Sequence, residues 1–77
     1  MKLEDLKFYN CDGYWDDAHD GEILIRRAKS DECHGPKGYY EIGEYYISSR
    51  GKRYSKLDPI TAQAILYELL KEPEDAA

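Results

Sequence analysis

The sequence predicts an α+β fold: a three- to four-stranded antiparallel sheet with one C-terminal helix packed on one face. Three observations lead there. Residues 39–47 read Tyr39-Tyr40-Glu41-Ile42-Gly43-Glu44-Tyr45-Tyr46-Ile47, with four tyrosines and two β-branched residues in nine positions. That composition suits a pleated, half-buried strand. Ser49-Arg50-Gly51-Lys52 then turns the chain into a short basic strand. Asp58-Pro59 opens an amphipathic helix that needs one apolar sheet face to cover.

Taken in chain order, Leu3, Leu6, Phe8 and Tyr9 fit either an initial helical turn or a first strand; they alternate imperfectly and are read as a strand over 6–10. Residues 11–21 are rich in Asp and broken by Gly13 and Gly21, so they read as an acidic loop. Residues 22–29 read as a strand, Ile23 and Ile25 on one face and Leu24 on the other. Gly35, Pro36 and Gly38 make 30–38 a turn-rich loop. In the tyrosine-loaded segment, Tyr40, Ile42 and Tyr46 share one parity and Tyr39, Tyr45 and Ile47 the other. Gly43 between them marks a bulge that shifts register. Residues 52–56 return from the Arg50-Gly51 turn with Tyr54 as their one large apolar residue.

The helix is predicted over 59–71. Asp58 is the N-cap, Pro59 sits at the first helical position, and Leu57 packs back on the first turn. Ala62, Ile65, Leu66, Leu69 and Leu70 form the apolar stripe, Lys71 suits the negative end of the helix dipole, and Pro73 stops the helix. Residues 72–77 are left as a frayed tail. The expected core is Ile23, Ile25, Ile42, Ile47, Ala62, Ile65, Leu66, Leu69 and Leu70.

Seventy-seven residues fit a single domain with a thin core, since chains of this size bury only about 60% of their unfolded surface. An aromatic fraction of 13% argues against disorder although 35% of residues are charged. Eight of the ten aromatics are tyrosine, whose hydroxyl tolerates a wet rim. No stretch has the roughly 18 apolar residues of a membrane span, and no apolar signal core stands near the N-terminus. Cytoplasmic residence is the expectation. Cys11 and Cys33 are then thiols.

The net charge is −5, which argues against a non-specific nucleic-acid or anionic-membrane binder. Its distribution is uneven. Residues 1–22 hold seven acids against Lys2 and Lys7, while cations gather at Arg26, Arg27 and Lys29 and at Arg50, Lys52, Arg53 and Lys56.

Candidate chemistry is sparse. Cys11, His19, Cys33 and His34 add up to a Cys2His2 zinc set, but no Cys-x2-Cys pair exists and Cys33 and His34 are adjacent. Asp16 to Glu22 begins like a calcium loop and fails at Ala18, position 3, and at Arg27, position 12. No phosphate-cradling glycine loop or nucleophile motif appears, so neither an enzyme nor a cofactor is expected. A Tyr- and Arg-rich sheet offers base stacking, with Arg26, Arg50, Lys52 and Arg53 for phosphates; this is the alternative reading, a small nucleic-acid-binding domain.

The leading reading is a protein-binding inhibitor or adaptor. Asp12, Asp16, Asp17, Asp20 and Glu22 would meet a basic, nucleic-acid-handling surface on another protein. Tyr14, Trp15, Tyr39, Tyr45, Arg50, Lys52 and Arg53 are the aromatic and basic residues that would anchor it. An unpaired sheet edge over 22–29 or 52–56 would also permit a homodimer, which its Arg and Lys discourage. In size, acidity and absence of catalytic motifs the chain resembles the small phage-encoded inhibitors of bacterial defence, the anti-CRISPR type among them. The resemblance implies an inhibitor that occupies the DNA- or RNA-binding groove of a nuclease complex in a bacterial host.

Overall fold

A computed structural model describes residues 2–31, 33–35 and 38–71. Its main sheet is built by cross-strand pairing of the acidic segment with the basic one that follows. The strands are β1 (Tyr9–Asn10), β2 (Trp15–Asp20), β3 (Ile23–Ala28), β4 (Cys33–Gly35), β5 (Gly38–Tyr40), β6 (Tyr45–Ser49) and β7 (Lys52–Leu57), followed by helix α1 (Pro59–Lys71). Five of them form one antiparallel sheet in the order β1-β2-β3-β6-β7, and β4-β5 form a separate two-stranded sheet. The fold is α+β, with its one α-helix at the C-terminal end of the described chain and packed on the main sheet.

The first correction concerns residues 11–21, expected as a loop. Residues 15–20 are strand β2. Asp disfavours strands, but here Asp17 lies opposite Arg26 and Asp16 opposite Arg27. Opposite charges facing each other across a ladder offset that preference. Trp15 and Ala18 are buried at alternate positions on the two faces.

A second correction concerns 39–47, expected as one bulged strand. β5 stops at Tyr40 and β6 starts at Tyr45, with a turn between them. Glu44 N–H donates to the Glu41 carbonyl at 3.0 Å, and Gly43 adopts φ 92°, a left-handed conformation that glycine enters without strain. Gly43 therefore turns the chain and also makes the expected bulge, because it and Glu44 share one residue of β3, Ala28, through Gly43 N–H to Ala28 O and Ala28 N–H to Glu44 O. Ile42 sits in that turn at 67% exposure and leaves the expected core; Leu70, at 39%, leaves it too. The remaining predicted residues are buried, save Ile65, which is half-buried against them.

The turn-rich segment 30–38 also contains a strand, β4, because Cys33 pairs opposite Tyr40 and both side chains turn inward. The expected strand over 6–10 shrinks to Tyr9–Asn10, preceded by a 3-10 turn, Leu3–Asp5. Leu3 N–H donates to Gln63 Oε1 at 2.7 Å, which ties that turn to α1. The helix occupies its expected span. Asp58 caps it, its Oδ1 accepting the Thr61 N–H at 3.2 Å and its carbonyl the Ala62 N–H at 2.9 Å. The predicted tail, 72–77, lies outside the described residues.

Two cores result, one on each face of the main sheet. α1 covers Ile23, Ile25, Tyr45, Ile47 and Leu57. On the opposite face the β4–β5 hairpin covers Trp15 and Ala28, with Tyr40 edge-on to the indole at 5.0 Å between ring centres. The hairpin covers one end of that face. By register, Tyr9, Asp17, His19, Leu24, Arg26, Ser48 and Arg53 share the same face.

Candidate protein-interaction surface

The acids expected to meet a partner are largely engaged within the chain. Asp12 Oδ1 accepts the N–H groups of Tyr14 (2.7 Å) and Trp15 (3.0 Å), a turn of the side-chain-to-backbone kind. The bond from Tyr14 is the main cause that holds the Asp12 carboxyl below its ordinary pKa. Asp16 sits between Lys29 Nζ (3.1 Å) and Arg27 Nη2 (3.3 Å), and the Lys29 hydrogen bond foremost lowers its pKa as well. Asp17 is buried and takes Arg26 Nε at 2.9 Å. Burial works against the Arg26 charge, but Asp17 outweighs it, and the guanidinium pKa moves upward. The same guanidinium lies over the Trp15 ring, 5.0 Å from its centre. Glu22 pairs with Arg50 Nε at 3.4 Å, and Asp20 is half-buried beside them.

The aromatic and basic set divides. Trp15 and Tyr45, at 6% and 8% exposure, belong to the two cores and present no surface anchor. This corrects their assignment as contact residues: each occupies an inward position of its strand. Tyr14 and Tyr39 are exposed. Arg50, Lys52 and Arg53 are exposed too, but at the β6–β7 turn.

Backbone bonds assemble the other end of the sheet. Lys29 N–H donates to Tyr14 O (3.0 Å), Ala28 N–H to Glu44 O (2.9 Å) and Gly43 N–H to Ala28 O (2.9 Å). The Cys33 thiol donates to Tyr14 O at 2.7 Å, pinning the Tyr14 turn to the hairpin. His34 and Tyr39 occupy the outward side of that hairpin, ring centres 4.9 Å apart. Tyr14, Tyr39 and Ile42 are exposed on the turns and hairpin that these bonds join; Asp12 shares the Tyr14 turn, Asp31 lies between β3 and β4, and Glu41 shares the Ile42 turn with the half-buried Glu44, whose Oε1 accepts the Glu41 N–H at 2.7 Å. His34, Asp31, Ile42, Glu41 and Glu44 were absent from the expected site. The signal that locates Glu41, Ile42 and Glu44 is Glu41-Ile42-Gly43-Glu44 taken as a turn that ends in a bulge; no local signal locates Asp31 and His34.

The soft ligands do not meet. Cys33 is buried, His34 turns the other way on the same strand, and Cys11 is exposed near Arg26, 3.7 Å from Nη2 to Sγ. His19 stacks on Tyr9 with ring centres 6.0 Å apart. Among the described residues no three His, Cys, Asp or Glu converge on a metal position. The calcium-like segment is strand, with Asp16 and Asp17 occupied by cations. A groove of about 430 Å³ opens between Leu3, Tyr45, Ile60 and Gln63, with Lys2, Glu4 and Arg27 also lining it. No helix among the described residues is long and apolar enough to cross a membrane. Compared with protein families, characterised proteins and solved structures, the chain finds no match.

Proposed function

We propose that the protein is a non-catalytic protein-binding inhibitor or adaptor that presents its acidic, aromatic end to a basic surface of another protein. The observation that carries this reading is the exposure of Tyr14, Tyr39 and Ile42 on segments that also expose Asp12, Asp31 and Glu41. Aromatic anchors give such contacts their affinity, and surrounding charge steers the encounter and fixes the register. A groove that handles nucleic acid offers the complementary cations. The form of the proposal that follows the resemblance is an anti-CRISPR-like inhibitor of a defence complex, working in the cytoplasm of a bacterial host. Direct nucleic-acid binding is disfavoured because Arg26 and Arg27 are engaged by Asp17 and Asp16, and because the net charge of −5 repels phosphate at long range.

The test is capture of partners from a lysate of the encoding organism, with a parallel gel shift on single- and double-stranded oligonucleotides at physiological salt. The proposal expects a partner with a basic surface that Tyr39→Ala and the pair Asp31→Asn with Glu41→Gln fail to retain. No oligonucleotide should shift. A shift at micromolar protein, abolished by Arg50→Ala, Lys52→Ala and Arg53→Ala together, would replace it with the nucleic-acid reading.

A further inference from the structure

β7 is an outer strand of the main sheet, and its far edge has no neighbouring strand among the described residues. Its ladder with β6 decides which groups face outward. Arg50 and Gly51, at φ 48° and 84°, form a two-residue turn of the mirror-image type that matches strand twist. The closing pair of such a turn, here Ser49 and Lys52, is a hydrogen-bonded pair, so Ser48 and Arg53 form a non-hydrogen-bonded one. The N–H and C=O of Arg53 therefore point to the open edge. Beyond Tyr54 the strand bulges, with Lys56 at φ 54°.

This edge is uniformly basic. β7 reads Lys52-Arg53-Tyr54-Ser55-Lys56-Leu57, three cations and no acid. Beside it on the helix side runs a groove of about 280 Å³, lined by Tyr54, Thr61, Ala64, Ile65, Glu68 and Leu69. Tyr54 lies opposite Ile47 on the helix face, and Arg53 turns to the other face.

We infer that the β7 edge receives an extended, acidic–apolar segment of a second protein as an added strand. The strand periodicity dictates the chemistry of that segment. Where it passes Tyr54 its side chain enters the apolar groove, and the Glu68 carboxylate at the rim rejects an acid there. At the flanking positions its side chains turn to the Arg53 face, where an acid is favoured. Lys52, Arg53 and Lys56 repel a second copy of the same edge, which argues for a heterologous acidic partner. This surface is separate from the acidic, aromatic end and stands or falls independently of it.

The probe is an acetylated, amidated peptide alternating four Glu with three Val, titrated into 15N-labelled full-length protein, with a Lys-for-Glu peptide as control. Saturable shifts should appear at amides 52–56 and at Ala64 and Ile65, and the Lys peptide should give none. Arg53→Glu should weaken binding by about tenfold or more. Arg53→Pro removes an outward N–H that β6 does not use, and should abolish binding while thermal unfolding stays cooperative. If the proline variant does not fold, the charge reversal decides. Absence of shifts at millimolar peptide would mean that the cations only guard the edge, and would overturn the inference. So would equal binding of the Lys peptide, shifts confined to another surface, or dimerisation through β7 in sedimentation.

Discussion

Asp17 shows how little of this molecule's acidity is free to act outside it. Its side chain is 10% exposed and its partner Arg26 30% exposed, at 2.9 Å. Removing the carboxylate leaves a half-buried guanidinium without its countercharge. Asp17→Ala should therefore cost about 1–3 kcal/mol, below the figure for a fully dry pair because water reaches Arg26. Urea melts check this, and a cost under about 0.5 kcal/mol would mean the pair does not organise β2 against β3. Acid should loosen both this region and the N-terminus of α1. The carboxyls of Asp12, Asp16 and Asp58 are all held below their ordinary value of 3.8. A carboxyl depressed in the folded state adds stability above its unfolded pKa and loses it as pH falls through the folded one. Stability should thus decline from about pH 5 downward, and less steeply in Asp16→Asn, measured by denaturant melts across that range.

At the scale of elements, α1 and β3 carry the helix-side core and the hairpins position the surface. Leu66, fully buried under the sheet, should cost about 2–5 kcal/mol when truncated to Ala, whereas Ile42→Ala in its exposed turn should stay within about 0.5 kcal/mol. Chemical denaturation of both variants gives the contrast, and similar costs would contradict two differently buried isoleucine and leucine sites. The helix was legible to its ends because cap, first-turn proline and apolar stripe are local signals. The Arg50-Gly51 turn was legible for the same reason. β2 was not: Asp16, Asp17 and Asp20 carry loop propensity, and only the long-range pairing with Arg26 and Arg27 overrides it. The break between β5 and β6 was missed because a linear pattern shows the bulge at Gly43 but not the turn that precedes it: Gly43 and Glu44 share Ala28, while the Glu44 N–H bond to Glu41 O takes 41–42 out of the strand.

Across the whole molecule, the candidate site was legible only in part. Tyr14 and Tyr39 are exposed, while Trp15 and Tyr45 are absorbed by separate cores on opposite sheet faces. Which tyrosines of a two-sided sheet are buried depends on what covers each face, and the β4–β5 hairpin over the second face leaves no periodic trace in the sequence. The same holds for charge. A run of acids at 12–22 looks like a patch, yet folding converts most of it into pairs and a turn, and the exposed acids outside that run include Asp31 and Glu41. The acidic, aromatic end is the proposed contact surface for a basic protein partner. Hydrogen exchange on the complex with the captured partner tests it most directly. The account predicts slowed exchange at the amides of 13–15, 38–40 and 41–45, with the open sheet face around Tyr9, His19 and Leu24 unchanged. Protection confined to that open face, with the acidic end exchanging as in the free protein, would contradict it.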